Sequence, residues 1–165
     1  MNVMKQQIKD VFTDLDKLKE DGIWFDGIEW KGEYKVCYSN GQLYRHCFYI
    51  GINKFRDEFK QWHANGQLNI HSHYNDKNKL KDEYKKWWDN GQLRIHCNYN
   101  DQGHIEGDYK KWYRNGQLWI HCFYRGIGDN EDKRYKDEYK EWDDSGKLIE
   151  YKIYNKDGSL KEIIV

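Results

Sequence analysis

The 165-residue sequence predicts an all-β repeat protein: an elongated, single antiparallel meander of consecutive β-hairpins, with one N-terminal amphipathic α-helix as a cap. Three observations carry this expectation. An Asn-Gly-Gln-Leu motif recurs, with glycines at Gly41, Gly66, Gly91 and Gly116 and a looser copy at Gly146, spaced 25, 25, 25 and 30 residues apart. A fixed period in this range marks a stack of supersecondary units. Asn-Gly between aromatic or β-branched runs is the strongest short hairpin signal. Aromatic residues reach 17% beside 34% charged residues, which suits amphipathic strands and excludes disorder, since disordered chains are poor in aromatics.

The chain opens differently. Over residues 1–21, Met4, Ile8, Val11, Phe12, Leu15 and Leu18 follow helical spacing, with Asn2 as N-cap and Gly22 beyond the end. Such a helix would cap the exposed end of a repeat stack; docking a partner is its alternative role. Residues 22–165 form the repeat region, about five units plus terminal half-units. GIWFDGIEW supplies the first half-unit and NKDGSLKEIIV, around Gly158, a closing half-hairpin.

Each unit has constant columns. Seven residues before each glycine stand Tyr34, Phe59, Tyr84, Tyr109 and Tyr139; four before stand Cys37, Trp62, Trp87, Trp112 and Trp142. Leu follows two after, at Leu43, Leu68, Leu93, Leu118 and Leu148, and Tyr eight after, at Tyr49, Tyr74, Tyr99, Tyr124 and Tyr154. Two turns would fit. A two-residue type I′ turn sends Trp87 and Leu93 to opposite faces. A three-residue loop, Asp89-Asn90-Gly91, sets them directly across from each other and is favoured, because it makes a large apolar pair and uses the positive φ open to glycine. Period-two alternation then puts Leu93, Ile95, Cys97 and Tyr99 on one face and Gln92, Arg94, His96 and Asn98 on the other. About ten strands would make a sheet roughly 45–50 Å across.

The run Gly107-Asp108-Tyr109 through Trp112, Asn115, Gly116 and Leu118 resembles the MORN-repeat family, in the variant whose core is aromatic, Trp, Asn-Gly, Leu. The resemblance covers roughly Gly22 to Val165. It implies a rod or trough of hairpins serving as an interaction scaffold, with phospholipid binding in some members. The near-identical units, rich in Asn, Lys, Ile and Tyr, resemble repeat proteins of giant DNA viruses and low-GC bacteria. An antitoxin-like partner of a toxin is the remote alternative that this resemblance implies.

The totals restrict the partners. The 28 basic and 28 acidic residues cancel, and no basic block is present, so nucleic acid is not expected. The same balance disfavours an anionic membrane surface, leaving lipid as the alternative. No apolar run approaches a membrane helix and the N-terminus has no signal-peptide core, which makes a cytoplasmic protein the expectation, in the host cytoplasm if viral.

Candidate chemistry reads as structure. His46, His71, His96 and His121 stand five after each glycine, about 9.5 Å apart over two strands, too far for neighbours in the column to share a zinc ion. Adjacent His96 and Cys97 face opposite ways. Cys47, Cys97 and Cys122, with Ser72 in the second unit, fill a small buried slot as reduced thiols, and Cys37 stands in another column. Glu33, Glu58, Glu83, Asp108 and Glu138 lie two before Lys35, Lys60, Lys85, Lys110 and Lys140, as a solvated ladder of weak ion pairs does. No enzyme, metal or cofactor is expected. What varies is the column three after glycine, with Tyr44, Arg94 and Trp119, and the column seven after, with Phe48, Asn98 and Phe123. Placed on one face with the His column, these are the candidate contact residues for an unknown protein partner. Zero net charge and open terminal strands also admit self-association.

Overall fold

The computed structural model describes residues 32–51, 54–126 and 135–165. The expected capping helix over 1–21 and the half-unit before Gly32 lie outside the described residues. Strands β1 (Gly32–Cys37) and β2 (Leu43–Gly51) form the first hairpin, β3 (Lys54–Trp62) and β4 (Leu68–Tyr74) the second, and β5 (Leu80–Trp87) and β6 (Leu93–Tyr99) the third. Strands β7 (Glu106–Trp112) and β8 (Leu118–Arg125) form the fourth, β9 (Tyr135–Trp142) and β10 (Leu148–Tyr154) the fifth, and β11 (Leu160–Ile163) closes the meander. All eleven lie in one sheet in chain order, each antiparallel to its neighbours. At about 4.8 Å per strand the sheet spans roughly 50 Å.

The turn is the three-residue loop. Trp88 N–H donates to Gln92 O (2.8 Å), Gly91 N–H donates to Trp88 O (3.0 Å), and Gly91 sits at φ +82°. The same two bonds close the turns at Gly41, Gly66, Gly116 and Gly146. They also close the described connections between units at Asn78, Gly103 and Gly158. Each of these turn-closing residues has positive φ, and at Asn78 (φ +58°) asparagine takes the glycine's place. Trp87 pairs directly with Leu93, as the three-residue loop requires.

A second irregularity follows each turn. Lys86 pairs with Ile95 and Trp87 with Leu93, so Arg94 is an extra residue, a β-bulge. The same shift recurs at Tyr44, Asn69, Trp119 and Ile149. First strands after β1 carry an irregularity of their own. Strand β4 meets β5 through His71↔Lys85 and His73↔Lys81, so three residues of β5 span one residue of β4. Asp82 takes φ +57° there, Asp57 takes +62° in β3 and Gly107 takes +83° in β7. This left-handed position explains why only glycine and aspartate occupy the column nine before each turn glycine: Asp is among the few other residues that tolerate it.

Neighbouring units are clamped turn to turn. Asn90 Oδ1 accepts from Gln92 N–H (3.1 Å) inside its own turn, while Asn90 Nδ2 donates to Arg114 O (2.9 Å) of the next. Asn40, Asn65 and Asn115 make the same pair of bonds. The side chain three before the glycine adds a second clamp to the next unit's backbone: Tyr38 to Trp62 O (2.8 Å), Trp88 to Trp112 O (3.2 Å) and Tyr113 to Trp142 O (3.0 Å). His63 Nε2 lies 3.1 Å from Trp87 O in the same arrangement. A Cβ added to Gly91 would meet Gln67 Oε1 of the preceding unit at 3.1 Å, so the turns also stack closely.

Asn90 is exposed, yet Asn90→Ala removes one bond within a turn and one between turns. Urea unfolding should show a loss of about 1–2 kcal/mol, against the half kcal/mol or less usual for a surface substitution. Gly91→Ala should cost at least about 1 kcal/mol by the same measurement, because an L side chain is strained at that φ.

Candidate interaction faces

The bulges divide the candidate residues between two faces. One face, the ring face, carries the tyrosine columns, the small slot and the bulge column. Its centre is a cluster of Tyr34, Val36, Cys47, Tyr49 and Phe59, against which Tyr44, Phe55, Ile70 and Tyr74 pack. Edge-to-face ring contacts run through it, from Tyr34–Tyr49 (5.2 Å) to Phe55–Phe59 (5.1 Å). They continue as Tyr84–Tyr99 (6.0 Å) and Tyr109–Tyr124 (5.4 Å). The opposite, charged face carries the Glu, Lys and His columns together with Phe48, Asn98 and Phe123.

The expectation that Tyr44, Arg94 and Trp119 share a face with Phe48, Asn98, Phe123 and the histidines is therefore corrected. A bulge interrupts alternation, so the residue three after glycine lands on the same side as the residue four after it. Contacts confirm the placement. Tyr44 packs on the ring cluster, and Trp119 stacks on Tyr113 (5.2 Å), with Lys111 over its ring and its Nε1–H on Glu141 (3.1 Å). By the same slip Leu93 does not share a face with Ile95, Cys97 and Tyr99. It follows Trp87 to the charged face.

On the charged face a carboxylate sits between a lysine and an imidazole in four successive units. Glu58 Oε1 lies 2.7 Å from Lys60 Nζ and 2.9 Å from His71 Nε2; Glu83 lies 2.7 Å from Lys85 and 3.0 Å from His96. Glu33 has Lys35 and His46 as partners, and Asp108 has Lys110 and His121. In the fifth unit Tyr151 replaces the histidine and donates to Glu138 (2.9 Å), which Lys140 also holds (2.8 Å). Hydrogen bonds from Lys60 and Lys85 hold Glu58 and Glu83 below the usual carboxylate range, and one from His121 does so for Asp108. Phe48 lies under Arg56 (5.1 Å), while Asn98 and Phe123 are exposed. Glu58, His71 and His73 bring one donor atom each within 4.8 Å of one another. Sequence reasoning passed over His73, although His-x-His on one strand puts both imidazoles on one face.

On the ring face the small slot is the most deeply buried place in the sheet. Cys47, Cys97, Cys122 and Ser72 are 2%, 1%, 2% and 1% exposed. All four cysteines are free, and Cys37 is exposed. Burial raises the Cys47 thiol to about 11 and the Cys97 and Cys122 thiols to about 12. They fill the slot as protonated thiols. Beside the slot runs a stripe of pairs joining the residues three before and three after Gly41, Gly91 and Gly116. Tyr38 meets Tyr44 edge-on (4.9 Å), Arg94 lies over Trp88 (4.1 Å), and Tyr113 stacks with Trp119. Lys86, held below the usual lysine value by burial and by Arg94, adds a cation, as does Lys111. Among the described residues, Lys86, Arg94 and Lys111 have no carboxylate partner.

A single-layer sheet of repeated hairpins, clamped turn to turn and without a second layer among the described residues, defines a β-hairpin repeat protein. The family model described as MORN repeat variant matches three consecutive central units, residues 58–76, 83–101 and 105–125. MORN repeats are generally protein- or lipid-interaction modules and are typically non-catalytic. No curated protein matches the chain.

Two measurements check this assignment of faces. With a thiol reagent under native conditions, Cys37 should react quickly and Cys47, Cys97 and Cys122 only on unfolding, as mass spectrometry of the labelled peptides would show. For the charged face the sign follows from the lowered carboxylates. Their contribution is complete above the ordinary carboxylate value of about 4.3 and is lost as pH falls through the lower folded values. Stability to urea should therefore be smaller at about pH 3 than at about pH 6, and Glu83→Gln should shrink that difference.

Proposed function

We propose that the protein is a non-enzymatic scaffold that binds another protein through the ring face, along the turn-flanking stripe that includes Tyr44, Arg94 and Trp119. One observation carries the reading. The constant columns make the ladder, whereas the bulge residue varies from unit to unit and, unlike the other varying column seven after glycine, takes part in no ladder pairing within its hairpin. Bulges re-aim side chains and are enriched near functional positions. The side chains on offer, Trp88, Trp119, Tyr113 and Arg94, are the types that dominate binding hot spots. With Lys86 and Lys111 unneutralised, the stripe suits a partner segment that combines acidic and apolar residues.

An anionic phospholipid surface is the alternative. The stripe offers three unneutralised cations, fewer than the four to eight typical of polybasic lipid-binding clusters, and its rings are engaged with one another.

The full chain used as bait in lysate of its native host, with two paired variants, tests the proposal. Arg94→Ala with Trp119→Ala should weaken the captured partner by about thirtyfold or more. Asn98→Ala with Phe123→Ala, on the charged face, should leave it unchanged. The reverse pattern would move the contact to the charged face. Sedimentation with phosphatidylserine vesicles, reversed by salt, would favour the lipid reading instead.

A further inference from the structure

His73 stands apart from the ionic scheme of the charged face. The place seven after glycine holds Phe48, Asn98, Phe123 and Ile153 in the other units, so only the second unit puts two imidazoles on one strand face. His71 and His73 lie side by side, with ring centroids 5.1 Å apart and planes at 56°. His73 pairs across the sheet with Glu58, whose carboxylate turns diagonally to His71 and lies 2.9 Å from its Nε2. Nδ1 of His73 is buried and has no hydrogen-bond partner. The Lys–carboxylate–His arrangement of the other units accounts for His71 and Glu58, but not for this second imidazole.

We propose that Glu58, His71 and His73 form a binding site for one divalent transition-metal ion of the zinc type. Bonds of about 2.0–2.1 Å in tetrahedral geometry put ligand atoms roughly 3.4 Å apart. Glu58 and His71 already stand at about that spacing, and all three donors fall within 4.8 Å, so a modest rotation of the His73 ring completes the set. Two imidazoles and one carboxylate suit zinc or copper(II); calcium and magnesium prefer oxygen ligands. The fourth position is left to water, as in open zinc sites. On binding, the ion replaces the hydrogen bond between His71 and Glu58, and Lys60 gives up the carboxylate oxygen it holds at 2.7 Å. Three cations oppose the ion: Lys60 from β3, and Lys85 and Lys81 across from His71 and His73 on β5. Lys85 is engaged with Glu83 (2.7 Å), and Lys81 lies 3.8 Å from Asp82. Their repulsion makes the site weaker than a closed structural zinc site, and its ligands join β3 to β4.

Isothermal titration of the full chain with zinc chloride, after treatment with chelator, reads the site directly. The expected result is one ion per chain and a melting temperature that rises with zinc. His73→Asn copies the residue of the third unit. It should abolish binding and the zinc-dependent rise while melting as the parent does in chelator. Glu58→Gln should weaken binding more than about tenfold, and Lys60→Gln should tighten it. His96→Asn, in a unit with a single imidazole, should bind as the parent does. The proposal fails if the parent binds no zinc, if His73→Asn binds as tightly as the parent, or if His96→Asn loses binding to the same degree.

Discussion

Each Asn-Gly turn holds its glycine at a φ of 82–89°, and the three-residue loop it closes brings a tryptophan or its equivalent opposite a leucine. That turn does more than reverse the chain. Its asparagine accepts one N–H inside the loop and donates to a carbonyl of the next loop, so the conformation of one unit fixes the position of its neighbour. A sheet without a second layer buries little apolar surface per residue, and its strands could otherwise slide in register. Stacked turns at one margin remove that freedom. Each link contributes about 1 kcal/mol, repeated at every unit boundary.

The two faces then divide the work. The ring face supplies burial: edge-to-face tyrosines lie over cysteines and a serine that are almost wholly covered. The charged face supplies solubility and pairing, with each carboxylate shared between a lysine and an imidazole, or a tyrosine in the last unit. Surface ion pairs of this kind are individually weak. Their regularity makes the ionic columns of the charged face repeat from unit to unit, while the bulge column along the ring-face margin varies. That contrast is what supports the proposed contact along the stripe containing Trp88, Arg94, Tyr113 and Trp119.

Much of this was legible in the residues. The 25-residue spacing and the Asn-Gly turns identify the meander, and the Cys/Ser column identifies a small buried slot, because turn chemistry and side-chain volume are local properties. The pairing of Trp87 with Leu93 also follows from the loop length. The Gly/Asp column nine before each turn glycine carried a signal as well: those residue types share tolerance of a left-handed backbone, and the structure places Asp57, Asp82 and Gly107 there. The His-x-His of the second unit was equally visible along one strand, but comparison down the histidine column looked past it.

By itself the sequence determined the repeat, the turn and the order of the strands, since each depends on contacts between residues near one another in the chain. Only the tertiary structure decided which face each column occupies. Alternation with period two assigns faces correctly until one extra residue enters a strand, and nothing in the composition of Tyr44, Arg94 or Trp119 announces that residue. The bulge is visible only in the register between paired strands. The clamps from Tyr38, Trp88 and Tyr113 to the following unit's backbone are likewise visible only in the structure. They join residues 24 to 29 positions apart, a distance that only the stacked sheet brings within reach of a hydrogen bond.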